Sequence, residues 1–238
     1  NYSYTIKARG YAGVTGTLKV DENSENVTVT MTESSAWDGE AKEAPIGKGT
    51  AESPYLIEDG AQLAWFADKV AGKIKDEVNE ASSSYYAELV NDIDLGNRNW
   101  TPIGKDYYEF QGSFDGKGNT VSGLNVTDTY AGLFGVIKGA EIKNLTVKGN
   151  VTGTEYAAGI AALNKTTVCK IENCGNEVTV AGRDAAGILC WNKASSGTIT
   201  ITGCYNSGDI TSTKSTSNRA GGIIAYSNTN VKISESYN

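Results

Sequence analysis

From residue 130 onward the chain repeats one pattern of apolar and polar positions. A glycine-centred apolar phrase, AGLFG at residues 131–135, returns three times with variations, and each copy is followed by a phrase that opens on isoleucine. These isoleucines recur at intervals of 29, 30 and 32 residues. They are Ile142, Ile171, Ile201 and Ile233. A nearly constant period of this kind predicts stacked structural units.

Each unit alternates β-branched and polar residues between Gly, Asn and Asp, which predicts two or three short strands per unit. Nine residues beyond the first three isoleucines stands another β-branched residue: Val151, Val180 and Ile210. A preserved offset is expected when each turn of a parallel β-helix buries the apolar row of the turn below it. We therefore expect ladders of like residues. Besides the isoleucines, the candidates are the glycines Gly132, Gly159, Gly187 and Gly222, and the asparagines Asn176, Asn206 and Asn238.

Glycine suits tight corners, and we expect the asparagines to occupy left-handed turns that bond to the backbone of the next turn. The phrase DGKGN at residues 115–119 is typical of a hairpin-like turn. The coil proper is predicted to start near Tyr85, which leaves room for about five turns.

Upstream, the phrase YLI at residues 55–57 predicts a short strand. It is followed by Asp59 as N-cap, a helix from about Gly60 to Ala71, and Gly72 as a stop signal. An open end of the coil would expose unpaired strand and apolar core, so we expect this helix to cap it. Residues 73–84 are polar and predict a loop.

The N-terminal residues 2–32 alternate strongly and predict two or three antiparallel strands, the last at residues 27–31. They resemble the closing strands of a carboxypeptidase-regulatory-type β-sandwich. The domains predicted are partial sandwich-like strands at 1–36, a linker at 37–53 anchored by Trp37, the strand and capping helix at 54–84, and the repeats at 85–238. The fold class is all-β, a right-handed parallel β-helix with an N-terminal capping helix, preceded by a small antiparallel meander.

The amino-acid composition disfavours some classes of partner and excludes some classes of catalytic site. Lys plus Arg number 21 against 28 Asp plus Glu, a net charge of −7, which disfavours nucleic acid or an anionic membrane as partner. The absence of histidine removes Ser-His-Asp triads and His-containing zinc sites. The chain has neither a signal peptide nor an apolar run long enough to span a bilayer. It starts inside a strand pattern and stops inside a repeat, so we expect a segment of a longer protein, without membrane insertion and monomeric.

The phrase GLFG at residues 132–135 resembles the motif of GLUG repeats, found in surface proteins of Gram-positive and gut bacteria and in the non-catalytic part of IgA-cleaving peptidases. Upstream phrases are similar to the same proteins: GTAESPYLI at 49–57, LAWFA at 63–67, DIDL at 92–95, WTPIG at 100–104 and FDGKGNTVSGL at 114–124. The resemblance implies a secreted, adhesin-like protein at the cell surface, held to the wall by parts outside this segment. It does not imply one shared activity.

Three acids are candidates for catalysis or calcium binding: Asp92, Asp94 and Asp115. Each stands at a strand end or in a turn, where Asp is favoured for local backbone bonding, and we prefer that structural interpretation. The motifs of β-helix pectin hydrolases are absent from the sequence. The sequence therefore predicts no catalysis in this segment and no cofactor, and calcium is not supported by a motif.

The four cysteines lack a Cys-x-x-Cys element, which disfavours zinc. Cys174 and Cys204 hold equivalent places one turn apart, where a disulfide and a ladder of buried thiols are equally compatible with the pattern. An exported protein favours the disulfide. The anaerobic habitat implied by the resemblance favours the thiols.

Aromatic side chains at turns form the remaining candidate binding surface for a host glycan or an extracellular protein. They are Trp100, Tyr107, Tyr108, Tyr130, Tyr156, Trp191 and Tyr226. Tyr205 and Tyr237 are expected to pack on each other, and Asp184 and Arg219 to form an exposed pair across adjacent turns. We expect a surface module for adhesion or display. The alternatives are a carbohydrate-active β-helix enzyme and a passive stalk that spaces a remote catalytic domain.

Overall fold

The computed structural model describes residues 2–6, 14–18, 28–30, 35–75, 84–166, 168–213 and 219–238. Near the N-terminus, β1 (Tyr2–Ile6) and β2 (Val14–Leu18) pair antiparallel in a sheet of their own. The third strand predicted there is not formed by residues 28–30, and residues 27 and 31 lie outside the described part of the chain. Most of the predicted polar loop, residues 76–83, also lies outside it.

From Tyr55 onward the described residues form a parallel β-solenoid of about six turns, which confirms the predicted β-helix. Three parallel sheets run along it. Sheet 1 consists of β3 (Tyr55–Ile57), β4 (Tyr86–Leu89), β6 (Ser113–Asp115), β9 (Glu141–Lys143), β12 (Lys170–Glu172), β15 (Thr198–Thr202) and β20 (Asn230–Ser234). Sheet 2 consists of β5 (Ile93–Asp94), β7 (Thr120–Ala131), β10 (Thr146–Ala158), β13 (Gly175–Ala186), β16 (Tyr205–Asn206), β17 (Ile210–Ser212) and β18 (Arg219–Gly221). Sheet 3 consists of β8 (Phe134–Ile137), β11 (Ala161–Asn164), β14 (Leu189–Asn192) and β19 (Ile224–Ser227).

The stack begins earlier than predicted. Tyr55 of β3 is already in parallel register with Ala87 of β4, so the coil starts at Tyr55 and not near Tyr85. The strand and the helix that follow the linker therefore belong to the coil as its first turn. This is why the structure has about six turns where the sequence predicted five.

The helix α1 (Gly60–Val70) closes this end of the coil, as predicted. Asp59 caps it, with Oδ1 accepting the Gln62 N–H at 2.9 Å. Phe66 is fully buried, and its ring centroid lies 5.9 Å from that of Phe110 and 6.0 Å from that of Phe114 in later turns. Apolar burial of this kind makes the helix an integral lid on the core.

The isoleucine ladder is confirmed by strand register. Ile142, Ile171, Ile201 and Ile233 are partners in successive strands of sheet 1. The first three are fully buried, whereas Ile233 is 44% exposed in the last strand. In sheet 2, Val151, Val180 and Ile210 are likewise register partners, so the constant offset in the sequence does report stacked positions.

The asparagine ladder exists, but its chemistry differs from the prediction. Asn176 Nδ2 donates to Asn206 Oδ1 at 2.6 Å, and Asn206 Nδ2 donates to Asn238 Oδ1 at 2.6 Å. These side chains bond to one another and do not occupy left-handed turns. Asn176 and Asn206 are buried inside the coil, whereas Asn238 is exposed. Left-handed positions are held by other residues, among them the more exposed pair Asn144 and Asn173, with φ of 53° and 50°. A buried amide needs partners for both its donor and its acceptor, and for Asn206 the amides one turn before and one turn after supply them.

The turn at residues 115–119 differs from the prediction. It joins β6 in sheet 1 to β7 in sheet 2, so it is a corner of the coil and not a hairpin.

Trp37 anchors the segment before the coil, as predicted. Its backbone N–H donates to the Asp94 carbonyl at 2.8 Å, and its ring meets that of Trp100 edge to face at 5.8 Å.

Candidate functional site

Four aromatic side chains form one continuous row where sheet 2 passes into sheet 3. Tyr130 and Tyr156 are register partners near the ends of β7 and β10, and Trp191 and Tyr226 are register partners in β14 and β19. Ring centroids are 5.9 Å apart for Tyr130 and Tyr156, 4.9 Å for Tyr156 and Trp191, and 5.9 Å for Trp191 and Tyr226. We call these four residues the aromatic row. The sequence predicted its members individually, and the register makes them neighbours.

Tyr156 of the row packs on a small apolar cluster that is separate from the main core. Ala158, Ala186 and Cys190 are fully buried in this cluster, with Tyr156 and Ala225 packed against it. Small side chains at these positions leave room for the larger Tyr156 ring. This apolar floor limits the rotamers that the Tyr156 ring can adopt.

Charged groups flank the C-terminal half of the row, Trp191 and Tyr226, which we call its upper half; Tyr130 and Tyr156 form its lower half. Asp184 is the register partner of both Tyr156 and Arg219, and Arg219 Nη1 lies 3.4 Å from Asp184 Oδ2. The predicted pair is thus formed, but Asp184 is buried, at 3% exposure, and not exposed as expected. Its Oδ1 is also buried and has no hydrogen-bond partner among the described residues. A buried carboxylate oxygen in that state is costly, and calls for an explanation.

Two side-chain cations lie over rings of the same row. The Arg219 guanidinium carbon is 3.9 Å from the Tyr226 ring centroid, and Lys193 Nζ is 5.3 Å from the Trp191 ring centroid. At the lower half, burial and the carboxylates of Glu155 and Asp184 raise the pKa of the Tyr156 phenol. The row thus combines aromatic faces with negative charge, a combination that attracts cations.

A tight turn at residues 105–108 lies beside the lower end of the row. Lys105 and Tyr108 exchange backbone hydrogen bonds of 3.1 and 3.0 Å across it. Tyr107, at its tip, is 91% exposed and has a φ of 70°, which is unusual for a bulky residue. Asp106 ties the turn to the row, because its carboxylate lies 2.6 Å from Lys165 Nζ and accepts the Tyr130 hydroxyl at 3.3 Å. Tyr107 and Tyr108 therefore extend the surface downward.

Trp100, by contrast, is not available as a binding residue. It is 2% exposed, packs on Trp37, and donates from Nε1 to the Leu133 carbonyl at 3.3 Å. Its large apolar ring is buried against the coil, and its one polar atom is bonded there. The sequence-predicted surface thus loses Trp100 and keeps its other members.

The three candidate acids serve turns of the backbone. Asp92 Oδ1 accepts the Thr120 N–H at 2.8 Å, and Asp94 Oδ1 accepts the Gly96 N–H at 2.8 Å. Asp115 Oδ1 accepts the Lys117 N–H at 2.9 Å. Burial alone would raise the pKa of Asp115, but hydrogen bonds from Asn144 and from Lys117 hold it below its usual value.

Asp115 also lines a groove of about 210 Å³ on the outer face of sheet 1, together with Glu88, Glu141 and Lys143. Its acids are paired: Glu88 lies 3.0 Å from Lys117 Nζ, and Glu141 lies 3.4 Å from Lys170 Nζ. Within the described ranges no three His, Cys, Asp or Glu side chains are placed to hold a metal ion.

All four cysteines are buried free thiols in the structure. Cys174 Sγ donates to the Glu172 carbonyl at 3.2 Å, and Cys204 Sγ to the Thr202 carbonyl at 3.5 Å, so the two occupy equivalent positions one turn apart. Burial raises the pKa of Cys174. At β16 of sheet 2, the predicted stack of Tyr205 on Tyr237 is confirmed, with ring centroids 5.7 Å apart.

Sequence reasoning missed the apolar floor and the cations Lys193 and Lys165. One sequence pattern could have indicated the floor residues: the positions around each repeat glycine hold Ala or Cys in several copies. Lys165 carries none, because its partners Asp106 and Glu109 come from another turn. Lys193 stands only two residues after its ring partner Trp191, so its signal was local.

Comparisons with known proteins agree with this architecture. No protein-family model matches the chain. It is 36% identical over 143 residues to a "Putative Gly-rich membrane protein" of Evansella cellulosilytica, covering 56% of this chain and only 15% of that protein. A crystal structure described as "a putative immunoglobulin A1 protease" from Bacteroides ovatus superposes with a TM-score of 0.54 at 21% identity, covering 80% of this chain and 68% of the other. In the part of this chain that is described, no helix has the length and apolarity to cross a bilayer. The superposition thus shows that this segment shares its fold with the Bacteroides ovatus protein.

Proposed function

We propose that this segment is a non-catalytic extracellular module of a surface protein, which binds a host glycan or an extracellular protein along the aromatic row. The observation that carries the proposal is the row itself: four rings from consecutive turns in contact with one another on one outer corner. Contiguous aromatic side chains with polar neighbours are the usual anchors of ligands and protein partners.

Three further observations support the surface location. The relative from Evansella cellulosilytica is named as a membrane protein, and the structural neighbour from Bacteroides ovatus is described as an immunoglobulin A1 protease. The phrase GLFG at residues 132–135, which resembles the GLUG motif, points the same way. This chain spans a small part of its relative, so an adhesive or display role in the whole protein belongs to the proposal.

The groove on sheet 1 favours a second candidate, a carbohydrate-active enzyme. Its three carboxylates, Glu88, Asp115 and Glu141, face a space of about 210 Å³. General acid catalysis needs a carboxyl group with a raised pKa, whereas that of Asp115 is lowered. For this reason we rank binding above catalysis.

The test is an array of glycans and extracellular-matrix proteins, with and without calcium, in which retained protein and released sugar are both measured. We expect retention without product. Trp191→Ala should reduce retention at least tenfold, whereas Tyr237→Ala, which removes a stacked and exposed tyrosine from another surface, should leave it within twofold. Released sugar that depends on Glu141 would establish the enzyme instead. Indifference to every ligand would leave a stalk.

A further inference from the structure

Cations of the same chain lie over only part of the aromatic row. Tyr226 and Trp191 at its upper end each have a cation of the same chain over the ring, at 3.9 Å for Arg219 and 5.3 Å for Lys193. Among the described residues no such cation lies over Tyr156 or Tyr130. The Tyr156 and Trp191 rings are inclined at 53° to each other, so neither covers the face of the other completely.

The carboxylate of Asp184 lies beside this less occupied part of the row. Its register places it directly between Tyr156 and Arg219. The side chain is 4% exposed, Oδ2 has only the 3.4 Å contact with Arg219, and Oδ1 is buried with no hydrogen-bond partner in the described part of the chain. Desolvation of an ionised carboxylate is offset only by close pairing, so this group is under-satisfied as it stands.

The other charged side chains near Asp184 are paired elsewhere and do not neutralise its carboxylate. Arg183 is paired with Glu155, and Lys165 lies 2.6 Å from Asp106 and 2.9 Å from Glu109. Among the described residues, Arg219 is the one cation in contact with Asp184, and its side chain is 36% exposed on a long, flexible stem. A guanidinium of this chain thus lies between an aromatic face and a buried carboxylate, the arrangement by which proteins recognise cationic groups.

We propose that the aromatic row recognises an arginine or lysine side chain of a basic protein partner, and that Arg219 occupies the place of that cation until the partner displaces it. The ligand cation then takes the position of the Arg219 guanidinium, over the Tyr226 ring and against Asp184 Oδ2. This inference rests on the proposed binding function and specifies its ligand class. The net charge of −7 favours the approach of such a partner.

The test measures binding of fluorescein-labelled tetra-arginine to the 238-residue chain by anisotropy at low and high salt. Asp184→Asn should weaken binding at least tenfold, because it removes the carboxylate that pairs with the ligand. Asp209→Asn removes one exposed negative charge elsewhere and should change binding less than twofold. Arg219→Gln should strengthen binding several-fold, because it removes the competing cation.

The opposite signs expected for Asp184→Asn and Arg219→Gln keep the test decisive even if one variant is less stable, and urea denaturation of each reports folding. Equal weakening by Asp184→Asn and Asp209→Asn would show diffuse attraction and overturn the inference. Weakening by Arg219→Gln would do the same, since it would mean that the pair is only structural. If chitotetraose binds in a Trp191-dependent manner and tetra-arginine does not, the proposed function stands and this inference fails. If neither binds, and no ligand is retained on the array, both fail.

Discussion

Asn176 donates from Nδ2 to Oδ1 of Asn206, its register partner one turn later, at 2.6 Å. Asn206 repeats the bond to Asn238 at the same distance and also donates to the Gly208 carbonyl at 3.0 Å. An inner ladder of amides therefore runs parallel to the coil axis, and each amide depends on its neighbour for satisfaction.

We expect Asn206→Ala to lower the free energy of unfolding by about 1–3 kcal/mol, because it removes the acceptor of the fully buried Asn176 amide and the donor to the Gly208 carbonyl. Urea denaturation followed by circular dichroism measures this. Asn230→Ala, at an exposed position of β20, is the control and should stay within about 0.5 kcal/mol of the parent. Equal small effects at both positions would show that the ladder contributes little.

The isoleucine ladder provides an internal comparison of burial. Ile171 is fully buried between Ile142 and Ile201, whereas Ile233 is 44% exposed in the same column. We expect Ile171→Ala to cost about 2–5 kcal/mol through lost apolar burial and the cavity that remains. Ile233→Ala should cost about 1 kcal/mol. Similar losses at the two positions would contradict the burial gradient.

We expect the buried thiols to make the protein less stable at alkaline pH. Burial raises the pKa of Cys169 and of Cys190 to about 12, whereas the pKa of an exposed thiol in an unfolded chain is about 8.5. Above about pH 8.5 the unfolded state therefore binds fewer protons than the folded state, so the free energy of unfolding falls as pH rises. This contribution is fully present below about pH 8.5 and is lost as pH rises through about 12.

The slope should approach about 1.4 kcal/mol per pH unit for each thiol, measured as urea midpoints between about pH 8 and pH 10.5. A double variant, Cys169→Ala with Cys190→Ala, should show a flatter profile over the same range. An unchanged profile would mean that these thiols titrate normally in the folded protein, which contradicts their burial.

Tyr107 combines a φ of 70° with 91% exposure. We expect Tyr107→Gly to raise the free energy of unfolding by about 0.5–1 kcal/mol, because glycine adopts this conformation without strain. The same change should weaken ligand binding if the exposed ring is an anchor. Tyr107→Ala keeps the strain and removes the ring, so it should weaken binding without stabilising the fold. Thermal denaturation and the ligand array distinguish the two effects.

The period of about 30 residues was enough to predict the coil, the isoleucine ladder and the partnership of Asp184 with Arg219, because stacked turns convert a sequence offset directly into a spatial neighbour. The capping helix followed from Asp59, the spacing of its apolar residues, and Gly72. These are local or strictly periodic features, and the sequence by itself determined them.

Only the tertiary structure decided the rest. Whether a tyrosine lies on an outer corner or a tryptophan such as Trp100 is buried depends on which sheet each strand joins and on what packs over it, and neither is periodic. The burial of Asp184 has the same origin, since its surroundings come from Tyr156 and Arg219 in the turns on either side. The sequence determined which residues are stacked, and the packing between turns and across the corner determined which of them face solvent and can bind.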